Sequence, residues 1–211
     1  MEIEIRGGVP AEIRAEDDGT IRVSGHAAVF NQDADIGGMF IERIEPGAFL
    51  DAIGRDDVVF LIEHEGLPLA RTSSGTLELS EDKIGLRMET VLDQTDPDVA
   101  RILPKMRRGD LSKMSFAFRA ELQEWDDSQE IPIRTIKKAW LRDVSVVTYP
   151  AYDGTDIGLR MLEAHRKDAR KQNYIAAARR VRMKGSLALR GREVGRSAAT
   201  DSLERSEEIK P

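Results

Sequence analysis

LSKMSFAFRA, residues 111–120, places Met114, Phe116 and Phe118 on alternate positions. A period of two is the mark of a β-strand with one face in a core. Ser115 breaks into this run from the other side of the strand. The wetter face of a strand often carries small polar residues, and taken alone the pattern favours Ser115 as filler. The competing reading is that a rigid strand presents a hydroxyl to a partner elsewhere in the chain. Periodicity reports a face, and the chemistry has to come from other residues.

Outward from this strand the first 160 residues read mainly as further strands. GTIRVSGHAAVF (19–30) alternates and is rich in β-branched residues, and it leads into the turn-rich NQDADIGG. MFIERIEPGAF gives a short strand running into Pro46, suited to the first turn of a helix that stops at Gly54. DVVFLIEH (57–64) is a continuous apolar run that ends abruptly in charge, as a buried strand emerging at a rim does. TLELSEDKIGLRMETVL reads as a hairpin turning at SEDK. In TDPDVARILPKMRRGD, Asp96 is an N-cap, Pro97 takes the first helical position and Gly109 ends the helix. Pro104 inside it predicts a kink or an early stop. TIKKAWLRDVSVVTYP is the last long strand, closed by Pro150. Many strands with two helices among them imply a mainly β (α+β) fold, an antiparallel β-barrel with flanking helices.

Composition narrows the function classes. Hydrophobic residues make up 40% and charged residues 33% of 211, ordinary for a soluble globular chain. No apolar run approaches the roughly 20 residues that span a bilayer, so no membrane role is expected. The charged, alternating start MEIEIRGGVP does not have a signal peptide's pattern. The absence of cysteine removes disulfides, thiol catalysis and thiolate metal sites, and fits a reducing compartment. His26, His64 and His165 are too few and too widely spaced for a dedicated metal site. No metal and no cofactor is expected.

Charge divides the chain. Residues 161–211 hold 13 Lys+Arg against 7 Asp+Glu, a net of +6, so residues 1–160 carry −12 of the overall −6. Residues 166–192 hold 10 basic residues and one acid, Asp168. This shift sets a boundary between a folded domain, 1–160, and a basic, partly helical and partly disordered tail, 161–211. An acidic protein surface suits such a tail. Nucleic acid is disfavoured, because Tyr174 is the tail's only aromatic and base stacking needs more.

Three residues then stand out. His64 ends one buried strand, Ser115 sits within another, and Asp143 lies in a third, LRDVSVV. A carboxylate buried among Trp, Leu and Val costs several kcal/mol unless paired. A histidine can provide that pairing with one nitrogen and take a proton from a serine with the other. Each residue also has a plain explanation: a rim histidine, a filler serine, a salt-bridge partner of Arg142 or a lysine. Spacing along the chain does not decide between the two.

Four blocks together carry a resemblance. They are GHAAVFNQDADIGGMFIERIEPGAFLDAI, LIEHEGLPLART, LPKMRRGDLSKMSFAF and AWLRDVSVVTYPAYDGT. In order and approximate spacing, over roughly residues 19–160, they resemble the prohead proteases of tailed bacteriophages. That family is similar to the herpesvirus assemblins, serine proteases on a mainly antiparallel β-barrel. The resemblance implies Ser115 as nucleophile and His64 as its base. Assemblins use a second histidine as third member, and here the corresponding strand carries Asp143, as is usual in the phage branch. His26 is read as a structural strand or rim residue. The oxyanion donors are expected among the main-chain N–H groups of Ala151, Tyr152, Asp153 and Gly154.

What the resemblance implies is a serine endopeptidase that acts in the host cytoplasm, inside the phage procapsid. It would clip segments of the major capsid protein and scaffold, and itself. Assemblins act as dimers, so a homodimer is compatible with it. The alternative from another class is a non-catalytic capsid assembly or scaffolding protein that uses the same barrel as a binding module.

Overall fold

The computed structural model describes residues 3–15, 21–149, 160, 162–180 and 182–183. Cα packing divides the chain into two compact units, Met1–Leu162 and Glu163–Pro211. In the first, ten strands are laid down in the order β1 (Glu4–Ala15), β2 (Ile21–Val29), β3 (Ala34–Ile36), β4 (Phe40–Ile44), β5 (Val59–Ile62), β6 (Glu65–Arg71), β7 (Leu77–Glu81), β8 (Gly85–Leu92), β9 (Lys113–Asp126) and β10 (Ile133–Val147). Helix α1 (Leu50–Arg55) joins β4 to β5, and α2 (Pro97–Arg108) joins β8 to β9. In the second unit residues 163–180 are helical, with side chains mostly exposed.

The strands pair in the order β3-β4-β10-β9-β1-β2-β8-β7, with β5 on β10 and β6 on β5. This corrects the expected antiparallel barrel. The path ends at β3 and β7, which do not pair with each other among the described residues, and two pairings of the sheet are parallel, β10 with β4 on the path and β10 with β5 beside it. The reason lies in β10. Its first half, Ile133–Ile136, runs parallel to Ile41–Ile44 of β4, and its second half, Asp143–Val146, parallel to Val59–Ile62 of β5. Parallel neighbours need a crossover, and the turn over residues 46–49 together with α1 supplies it. The chain thus leaves the β10 edge after β4 and returns to the same edge further along.

That crossover also alters the helix expected from Pro46. The helix begins only at Leu50 and runs through Gly54 to Arg55. Gly47 has φ 93°, outside helical geometry, and the N–H groups of Gly47 and Phe49 donate to the Glu81 carboxylate at 2.9 and 2.7 Å. Helix α2 follows its signals closely. Asp96 accepts from the Asp98 N–H at 2.8 Å, Pro97 opens the helix, and Gly109 closes it at φ 82°. Pro104 does not interrupt it. Pro104 and Ala100 are both exposed, so the carbonyl deprived of a donor by the proline faces water. Val99, Ile102 and Met106 form the buried stripe that joins the core.

Strand β9 is the centre of the sheet, with β10 on one side and β1 on the other. Met114, Phe116 and Phe118 lie in the main core, where Phe49 meets the Phe116 ring edge-on at 5.7 Å. The opposite face is not wet, as the alternation suggested. Ser115 is 0% exposed and Ala117 1%.

Candidate active site

The β9–β10 register sets Ser115 directly opposite Ser145 and Ala117 opposite Asp143. Cross-strand partners share a face, so Ser115, Ser145 and Asp143 all stand on the side away from the main core. On the other flank Ser115 pairs with Gly7 of β1, next to a register shift between Gly7 and Val9. A Cβ at Gly7 would sit 2.5 Å from the Met114 carbonyl oxygen and 2.8 Å from Ser115 Cα. Only glycine lets β1 come this close. The result is that the Arg6 carbonyl accepts from Ser115 Oγ at 2.8 Å.

His64 arrives from the other edge of β10. Strand β5 ends at Ile62, two residues short of the expected DVVFLIEH strand, because the backbone turns sharply there. Glu63 and His64 have φ 52° and 61°, consecutive left-handed conformations in residues other than glycine. Such conformations cost on the order of 1–3 kcal/mol each and persist where surroundings over-determine them. Two bonds tie this turn to β10: Glu63 N–H to the Val146 carbonyl at 3.0 Å, and Thr148 N–H to Glu63 Oε1 at 2.7 Å.

The turn carries the imidazole between β9 and β10. His64 Nε2 lies 2.7 Å from Ser115 Oγ, and Nδ1 lies 2.5 Å from Asp143 Oδ1. The three residues singled out in the sequence therefore meet, in a hydrogen-bonded line from hydroxyl to imidazole to carboxylate. A carboxylate at Nδ1 fixes the tautomer with hydrogen on Nδ1 and a lone pair on Nε2. That lone pair competes with the Arg6 carbonyl for the single Ser115 hydroxyl hydrogen. Asp143 is wholly buried, and the His64 side chain is 11% exposed, so the imidazole is the member of the line that reaches solvent.

Several neighbours were not anticipated in the sequence. Ser145 Oγ donates to Asp143 Oδ1 at 2.8 Å and lies 3.2 Å from His64 Nδ1. The available signal was its position two residues after Asp143, on the same face of one strand. Asp143 Oδ2 has no hydrogen-bond partner among the described residues. Beside the site, Arg6 and Arg134 form a buried quartet with Glu4 and Glu42. Arg6 binds Glu42 at 2.7 Å, and Arg134 binds Glu4 at 2.5 Å and Glu42 at 2.7 Å. Its charges cancel, and it fixes β1, and with it the Arg6 carbonyl, against β9, β10 and β4.

The remaining candidates lie apart from this line. His26 pairs with Asp82, Nε2 to Oδ2 at 2.8 Å, on the β2–β8 side of the sheet. Ala151, Tyr152, Asp153 and Gly154, expected to supply oxyanion donors, lie outside the described residues, as does Pro150. Among the described residues no group of three or more His, Asp or Glu side chains could hold a metal ion, and no helix is long and apolar enough to cross a membrane.

Residues 10–168 match the family model described as caudovirus prohead serine protease. Among solved structures the chain is similar to the bacteriophage T4 capsid assembly protease, gp21, at 10% identity and a TM-score of 0.45, covering 71% of this chain and 98% of that one. No curated protein sequence matches.

Proposed function

Since this chain belongs to the caudovirus prohead serine protease family, we propose that Ser115, His64 and Asp143 are its catalytic triad. The observation that carries the reading is the unbroken line of contacts, 2.7 Å from Ser115 to His64 and 2.5 Å from His64 to Asp143. A serine hydroxyl is a weak nucleophile until an adjacent base takes its proton. Ser115 Oγ attacks the scissile carbonyl as its hydrogen passes to His64 Nε2. The imidazolium so formed is held by the Asp143 carboxylate, and it returns the proton to the leaving amine. Water then repeats the sequence in reverse roles and frees the acyl group. Main-chain N–H groups of Ala151–Gly154, just beyond β10, take the oxyanion in this proposal. Ser115 is buried in the free chain. Binding of substrate therefore includes a displacement that admits the carbonyl.

The substrates we propose are segments of capsid and scaffold protein within the procapsid, with self-cleavage as a further step and a homodimer as the working form. The basic tail, residues 161–211, is the docking arm toward an acidic assembly partner. A chain ending at Leu162 should cleave a short peptide normally but fail to be incorporated into procapsids. Normal incorporation would remove the docking role.

The test of the central reading is co-expression with the capsid and scaffold proteins, followed by mass spectrometry of their termini. New termini are expected with the native chain and none with Ser115→Ala, since losing a triad nucleophile costs on the order of 10⁶ in rate. Full processing by Ser115→Ala would overturn the assignment.

A further inference from the structure

Ser145 is fully buried, and its side chain faces both Asp143 and His64. Its hydroxyl has one hydrogen and two neighbours. Nδ1 of His64 already directs its own hydrogen at Asp143, so it cannot accept, and the Ser145 hydrogen goes to Asp143 Oδ1. That oxygen then receives two donors, one from each residue, while Oδ2 receives none. The carboxylate is thus anchored through a single oxygen, and a lone pair of Ser145 Oγ is left facing the Nδ1–H.

We propose that Ser145 is a positioning residue for this site: its hydroxyl fixes the rotation of the Asp143 carboxylate and moderates its pull on the His64 proton. The proposal rests on the triad reading, which it extends by a fourth member from the strand position opposite the nucleophile. A donor to Oδ1 stabilises the carboxylate anion and spreads its charge. Removing that donor leaves Asp143 more basic, so the imidazolium beside it holds its proton more tightly. The Ser145 oxygen at 3.2 Å from Nδ1 acts in the opposite sense, but the 2.8 Å bond to the carboxylate is the shorter and decides the sign.

Other charged groups near His64 do not cancel this effect. Asp143 on β10 is the carboxylate that contacts the ring. From β9 the contact is Ser115. From β1 the Arg6 guanidinium is engaged by Glu4 and Glu42, and only its carbonyl reaches the site. Glu63 on the same turn directs Oε1 to Thr148 N–H, and Glu65 at the start of β6 is exposed.

The experiment is an NMR titration of the histidine ring signals in the full-length protein. His26, His64 and His165 are the only three to assign. In Ser145→Ala the pH midpoint of the His64 signals should move upward, because the hydrogen bond lost is one that stabilised the Asp143 anion. Peptidase kcat should fall about tenfold with KM unchanged, a loss of positioning and not of substrate binding. Ser145→Thr, which keeps the hydroxyl, should restore both, and melting curves of each variant report whether it folds. An unmoved His64 midpoint in folded Ser145→Ala would overturn the proposal. The midpoint is read without proteolysis, so a Ser115→Ala chain that still cleaves would sink the triad and leave the Ser145 result standing.

Discussion

Two sets of ionisable groups are buried in this sheet a few residues apart, and they are built on opposite plans. The quartet of Glu4, Arg6, Glu42 and Arg134 is closed. Two guanidinium groups meet two carboxylates, and Arg134 also donates to Gln123 at 2.7 Å. Burial works against the charge on Arg134, but the Glu4 hydrogen bond and the charges of Glu42 and Glu4 raise its proton affinity above the ordinary arginine value. The line of Ser115, His64 and Asp143 is open. Asp143 Oδ2 lacks a partner, Ser115 offers one hydrogen to two acceptors, and His64 stands on a left-handed turn. A closed set fixes geometry; an open one leaves proton positions free to change during a reaction. The two meet at Arg6, whose side chain belongs to the quartet and whose carbonyl belongs to the site.

The contrast is broken most severely at the base. His64→Ala should cost about as much activity as losing the nucleophile, on the order of 10⁶, because members of a triad act as a unit. Asp143→Asn keeps the shape but favours the wrong imidazole tautomer, and a loss of about 10³–10⁴ is expected. Asp143→Asn should melt close to the native chain. His64→Ala leaves the buried Asp143 carboxylate with Ser145 as its one hydrogen-bond partner among the described residues and should melt lower, so its activity is compared per folded molecule. If Asp143→Asn cleaved at the native rate, Asp143 would belong with the structural charges of the quartet.

The reverse pattern is expected in the quartet. Arg134→Met leaves Glu4 and Glu42 buried with one cation between them, a situation that costs about 3–5 kcal/mol. For a domain of this size that lowers the melting midpoint by about 10 °C. Activity per folded molecule should fall far less than in His64→Ala. An unchanged midpoint would show that the quartet is not a structural element at all.

The smallest effect belongs to the partly exposed pair, His26 and Asp82. The His26 hydrogen bond, helped by the Gly85 and Ile84 N–H groups, lowers the Asp82 carboxyl from 3.8 to about 2. A carboxyl depressed by folding stabilises the protein above its unfolded value and loses that contribution as pH falls through its folded value. The contribution should therefore be intact above pH 4 and fade between about 4 and 2. Its size is that of a screened surface contact, at most about 1 kcal/mol. Melting of His26→Ala against the native chain across this window measures it, with activity at neutral pH unaffected. A large loss of activity in His26→Ala would mean the wrong histidine has been placed in the site.

These differences mirror what a single sequence can disclose. The alternation around Ser115, the strand through Asp143 and the capped helix α2 were legible, because each is written in local spacing or in one capping residue. The pairing direction of β10 was not. An apolar strand reads the same whether its neighbour runs parallel or antiparallel, and the expected barrel failed on that point. The turn at Glu63 and His64 was hidden too, since neither residue type advertises a left-handed backbone. Glu4, Arg6, Glu42 and Arg134 lie as far as 130 positions apart, and each looks like an ordinary solvent-facing member of an alternating strand. Ser145 carried one local signal, its place two residues after Asp143 on the same strand face, but its position opposite Ser115 came only with the β9–β10 register.

The most direct measurement is covalent capture of the nucleophile. Full-length protein is treated with a labelled serine-reactive phosphonate, and the adduct is located by peptide mass spectrometry. One modified residue is expected, Ser115, with labelling abolished in His64→Ala and retained in His26→Ala. No adduct, an adduct on another serine, or labelling of Ser115 that is indifferent to His64 would contradict it.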